Sequence, residues 1–86
     1  MVGIGVAQLY AMELSEVEKI ARSIIRDYGL PLRLATVASE RPGRCIVGFS
    51  DRYTPATAVA VGLWHDAKAS SHSVRESLKR GLEIND

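Results

Sequence analysis

The sequence predicts a single α+β domain, residues 1–86, with a three- or four-stranded, mainly antiparallel sheet and two helices. Three observations lead there: a long segment with helical periodicity and marked ends, three strand-like runs divided by turn residues, and a narrower amphipathic segment near the C-terminus. At 86 residues there is material for one core only, since domains usually need about 100 residues. A chain of this size buries only about 60–65% of the surface its unfolded form exposes. Burial against a second copy would therefore add useful stability.

The first helix is expected from Ser15 to Tyr28, where Val17, Ile20, Ala21, Ile24, Ile25 and Tyr28 recur at spacings of three and four. Ser15 and Glu18 have the spacing of a capping box, in which each side chain satisfies a backbone N–H left over at the helix start. Gly29 supplies a left-handed stop, and Pro31 prevents the helix from resuming.

Three strands follow. Leu32 to Ser39 places Leu32 and Leu34 on one face and Ala35 and Val37 on the other, and it ends in the turn Glu40-Arg41-Pro42-Gly43. Cys45 to Ser50 opposes Cys45, Val47 and Phe49 to Ile46, Gly48 and Ser50, until Asp51 to Pro55 breaks it. Thr57 to Trp64 sets Thr57, Val59, Val61 and Leu63 against Ala58, Ala60, Gly62 and Trp64. Neither side of this third run is polar, which is the pattern of a central strand covered on both faces.

The last helix is expected from about Ser71 or Ser73 to Ile84, with Ser73 and Glu76 spaced as a second capping box. Its stripe of Val74, Leu78 and Leu82 is narrow, so it should rest on a surface groove and leave His72, Arg75, Glu76, Lys79 and Arg80 wet. Gly81 weakens its final turn. Residues 2–12 alternate as Val2, Ile4 and Val6 and are expected to form a short edge strand or an arm on a neighbouring subunit. Two helices can cover one face of the sheet only. The leftover apolar face, centred on Val59 and Val61, is expected to meet another copy, making a homo-oligomer.

Composition narrows the function classes. Apolar residues at 47% and charged residues at 24% are ordinary for a folded domain. A net charge of +1 provides no strong overall field for nucleic acid or an anionic membrane. Cys45 is the only cysteine, which excludes an internal disulfide and fits a reducing, cytoplasmic setting. The apolar opening lacks a basic leader and is too short to span a bilayer, so neither a signal peptide nor a membrane span is expected.

The segment from Trp64 to Arg75 joins a strand to a helix start and is dense in hydrogen-bonding groups. Backbone N–H groups and the positive end of the helix dipole attract anions at such a junction. Trp64, His65, Lys68, Ser71, His72 and Arg75 are the candidate ligand-binding residues there, for a small molecule or an anion. The serines also serve simply as caps, and the basic side chains as solvated charge. His65, Asp66 and His72 are metal-ligand types, but their spacing matches no metal motif. Ser70 or Ser71 with a histidine and Asp66 supplies the residue types of hydrolytic catalysis without a nucleophile elbow, and Cys45 sits mid-strand as packing. Gly3-x-Gly5 lacks the third glycine of a dinucleotide loop. No catalytic residue and no cofactor is assigned.

In element order the chain resembles the double-stranded RNA-binding domain. That resemblance implies phosphate contacts at the start of the last helix, where Lys68, His72, Arg75 and Lys79 stand. The family's run of lysines at that helix start and its histidine-containing turn are missing here. The function expected first is thus a non-enzymatic, oligomeric binding or regulatory module for a small molecule or anion held near residues 64–75. An RNA-binding module using Lys68, Arg75, Lys79 and Arg80 comes second, and a small enzyme using the His65 to His72 loop third.

Overall fold

The computed structural model of the protein describes residues 12–54, 57–66 and 68–85. The elements are α1 (Leu14–Asp27), β1 (Leu32–Arg41), β2 (Arg44–Asp51), β3 (Thr57–Trp64) and α2 (Ser71–Gly81). The α+β class, the element order and the antiparallel sheet are those the sequence predicts. The strand or arm expected of residues 2–12 lies outside the described residues, apart from Met12.

Helix α1 buries Val17, Ala21 and Ile24 as its periodicity requires. Its start differs from expectation. Glu13 occupies the N-cap with no side-chain bond, and Glu13 O accepts from the N–H groups of Glu16 and Val17 at 3.0 and 3.2 Å. Ser15 is therefore already inside the helix and cannot cap it. Leu14, which packs against the core, draws the first turn back by one residue, and Glu18 holds Arg22 at 3.0 Å instead of reaching backwards. The end is as expected. Gly29 adopts φ +58°, its N–H donates to Arg26 O, and that of Leu30 donates to Ile25 O, which together close a Schellman motif.

The sheet has the order β1-β2-β3, both pairs antiparallel. The second strand is thus the central one, and β3 lies at an edge of the described sheet, contrary to the expectation that β3 is central. A second correction concerns β1. Leu34 pairs with Phe49 but Thr36 pairs with Gly48, so Ala35 is an extra residue. This bulge shifts the alternation by one, and Leu34 and Val37, expected on opposite faces, both pack against the core.

Both helices contact the core built on one face of the sheet. Cys45, Val47 and Phe49 of β2, with Val61 and Leu63 of β3, are buried there against Val17, Ala21 and Ile24 of α1 and Val74 and Leu78 of α2. Burying a side chain of the Val, Leu or Phe kind contributes about 1.5–3 kcal/mol, so this cluster carries most of the fold's stability. The Val59–Val61 face expected to await another copy is the covered one, and Val61 keeps only 7% of its exposure. The open face carries Ala38, Ile46, Ala60, Gly62 and Trp64. Its small residues make room for cross-strand neighbours: a Cβ on Gly62 would stand 2.7 Å from Arg44 Nη2, and one on Gly48 would stand 2.8 Å from Thr36 Cγ2.

Helix α2 is capped one turn before the expected box. Ser73 N–H donates to Ser70 Oγ at 3.0 Å, and Ser70 N–H donates to Ser73 Oγ at 2.8 Å, a reciprocal box with Ser70 as N-cap. Glu76 instead pairs with Lys79 at 3.3 Å.

Candidate functional site

An open groove of about 810 Å³ runs between the β3 edge and α2. Its floor is apolar, from Val61 and Leu63 of β3 and Ala69 of the connecting loop, with Gly81 of α2 beside them. Its rim is polar. Ser73, Ser77 and Arg80 come from one side of α2, Asp66 and Lys68 from the loop, and Trp64 and Arg44 from the paired ends of β3 and β2. Spacings of four and three on α2 place Ser73, Ser77 and Arg80 along one flank.

Local bonds shape the loop. Asp66 Oδ1 accepts from Lys68 N–H at 3.1 Å, and Asp66 O accepts from Ala69 N–H at 2.9 Å. Trp64 stays 50% exposed. Two guanidiniums lie near its ring, Arg44 at 5.0 Å and Arg41 at 5.2 Å from the centroid, close enough for attraction to the ring face. Arg44 also bonds Glu40 at 3.0 Å. Among the described residues Arg80 donates to Ser77 Oγ, at 3.2 Å. Among the described residues neither Lys68 nor Arg80 forms an ion pair.

The predicted site residues divide. Trp64 and Lys68 line the groove. Ser71 and His72 lie exposed on the first turn of α2 and do not line it. Arg75 points to the other helix, donating to Ser23 Oγ at 3.0 Å and Asp27 Oδ2 at 3.2 Å. His65 is a buried staple: its N–H donates to Gly43 O at 2.8 Å, its carbonyl accepts from Met12 N–H at 3.0 Å, and Nδ1 lies 2.7 Å from Met12 O. That last bond requires a proton on Nδ1, since a carbonyl only accepts. Among the described residues its buried Nε2 has no partner. The capping box takes the Ser73 N–H at the helix start.

Arg44 was not expected at the site. Its place follows from the β2–β3 register, in which Arg44 faces Trp64, and the Arg41-Pro42-Gly43 turn was the available signal for that register. Cys45 is fully buried. Burial pushes its thiol above the usual range, and Arg44 offsets part of that shift. Among the described residues no three of His, Cys, Asp and Glu are grouped to hold a metal ion, and no helix is long and apolar enough to cross a membrane. Compared with known proteins, the chain matches no family model, no curated sequence and no solved structure.

Proposed function

We propose that the chain is a non-enzymatic binding module for a small organic anion held in the groove between α2 and β3. One observation carries this reading: the apolar floor of Val61, Leu63 and Ala69 lies between two cations, Lys68 and Arg80, that have no ion-pair partner among the described residues. The groove's volume is within the range of small-molecule sites, about 300–1,000 Å³. A carboxylate would sit between Lys68 and Arg80 with the hydroxyl of Ser77 as a further donor, since that of Ser73 already donates to Ser70 O, and the apolar body would lie over Val61 toward Trp64. Asp66 on the rim repels a second negative charge, which favours a monoanion.

A thermal-shift panel of small carboxylates tests this, because a ligand that binds only the folded state raises the melting temperature. The expected result is a shift with apolar monocarboxylates that disappears in a Lys68→Ala, Arg80→Ala double variant. No shift with any member, or one equal in the variant, would overturn the reading.

The homo-oligomer contact expected on the Val59–Val61 face, which is covered, would instead use the open sheet face, where Ile46 is 37% and Trp64 50% exposed beside small Ala60 and Gly62. A second copy would pack there, and a monomer mass by light scattering at high micromolar concentration would sink that part. The RNA reading is weaker because Arg75 pairs with Asp27 and Lys79 with Glu76. The enzyme reading is weaker because His65 does not line the groove.

A further inference from the structure

A second groove, of about 520 Å³, lies between the C-terminal half of α1 and the start of β1, and four arginines surround it: Arg22, Arg26, Arg33 and Arg52. Helix α1 supplies the first two one turn apart, and β1 supplies Arg33. Arg52 follows β2 and is pinned to the α1–β1 connection because its N–H donates to Pro31 O at 3.0 Å.

The neighbouring carboxylates are few and engaged. Glu18 takes Nε and Nη2 of Arg22 at 3.3 and 3.0 Å. Asp27 lies 3.5 Å from Arg26 Nε but also accepts from Arg75 at 3.2 Å. Asp51 Oδ1 accepts the N–H groups of Tyr53 and Thr54. Among the described residues Arg33 and Arg52 form no ion pair.

Arginines in the last turn of a helix complement the negative end of its dipole, and that explains Arg26 in part. It does not extend to Arg22, which lies before the last turn, or to the other two, which are not on the helix. The last carbonyls of α1 are moreover already taken, Ile24 O by Tyr28 N–H, Ile25 O by Leu30 N–H and Arg26 O by Gly29 N–H. Among the described residues, Arg33 and Arg52 thus stand at the groove without an ion-pair role in the fold.

We infer that this groove binds a phosphate-bearing small molecule through a diphosphate or triphosphate group, with Arg33 and Arg52 as the principal contacts and Arg22 and Arg26 as the outer pair. All four cations are guanidiniums, whose planar forks match phosphate oxygens two at a time, and among the described residues no lysine lines the groove. Several convergent charges suit a ligand with several negative charges, which a single carboxylate does not provide. The apolar patch of Ile25 and Leu32 gives the non-phosphate part of the ligand a surface. Gly29 leaves the mouth open, since a Cβ there would meet nothing within 4 Å.

Calorimetric titration of the full chain with inorganic tripolyphosphate, and separately with a nucleoside triphosphate, tests the site. Both should bind saturably at low salt, and a tighter nucleoside triphosphate would assign the Ile25 and Leu32 patch to the nucleoside. Affinity should fall about tenfold or more in an Arg33→Gln, Arg52→Gln variant, from loss of two charge-assisted donors, and should be unchanged in Lys68→Ala, Arg80→Ala. Both arginines are exposed, so the variant should keep the wild-type circular dichroism spectrum. Absence of saturable binding, unchanged affinity in the glutamine variant, or full affinity in an Arg33→Lys, Arg52→Lys variant would each overturn the inference.

Discussion

Gly81 of α2 lies against Val61 of β3 so closely that a Cβ at position 81 would stand 2.6 Å from both Val61 methyl carbons. Helix propensity favours alanine over glycine by about 1 kcal/mol, yet here the close approach outweighs it. Gly81→Ala is expected to destabilise the fold by about 1–3 kcal/mol through overpacking, read as a lower urea midpoint at unchanged slope. Adding Val61→Ala should recover part of the loss. A more stable Gly81→Ala would mean that α2 does not seat on Val61.

Glu83 ends α2 with φ 58°, and its N–H and that of Ile84 donate to Arg80 O and Lys79 O. This is the same Schellman closure that Gly29 makes for α1, built with a residue that pays for its Cβ. Glu83→Gly should raise stability by about 1 kcal/mol, seen as a higher melting temperature. A loss would contradict the left-handed conformation.

The two helix starts make opposite demands on serine. Ser70→Ala removes one side of the capping box and should cost about 0.5–2 kcal/mol. Ser15→Ala should be neutral or slightly stabilising, because Ser15 is an exposed interior helix position with no capping bond. Equal effects in chemical denaturation would contradict the placement of the caps.

Helix α1 was legible because its periodicity is local and Gly29 with Pro31 stops it locally, and the Pro42-Gly43 turn was legible for the same reason. The phase of β1 was hidden by the Ala35 bulge, which has no signature in residue type. The small residues Ala60 and Gly62 suggested a covered strand, whereas the room at Gly62 is filled from the side by Arg44. Of the residues singled out in the sequence, Trp64 and Lys68 line the groove. His65 and Arg75 are held away from it by partners, Met12 and Asp27, that are 53 and 48 residues away in sequence.

Cys45 has its thiol pushed above the usual range by burial. A folded state that holds this proton more tightly than the unfolded state loses stability as pH rises past the unfolded thiol's value of about 8.5. Unfolding free energy should therefore decline above that pH, and this component of the slope should vanish in Cys45→Ala. The native thiol should resist a thiol reagent that reacts at once after denaturation. Rapid reaction of the folded protein would contradict the burial.

Trp64 is the only tryptophan and lines the groove between α2 and β3, so its emission reports directly on whether an organic anion enters there. The most direct measurement is a fluorescence titration with benzoate, in the wild-type chain and in Lys68→Ala, Arg80→Ala. A saturable change in Trp64 emission, lost in the double variant, is the expected result. A flat titration, or one that the double variant reproduces, would contradict the groove as an anion site.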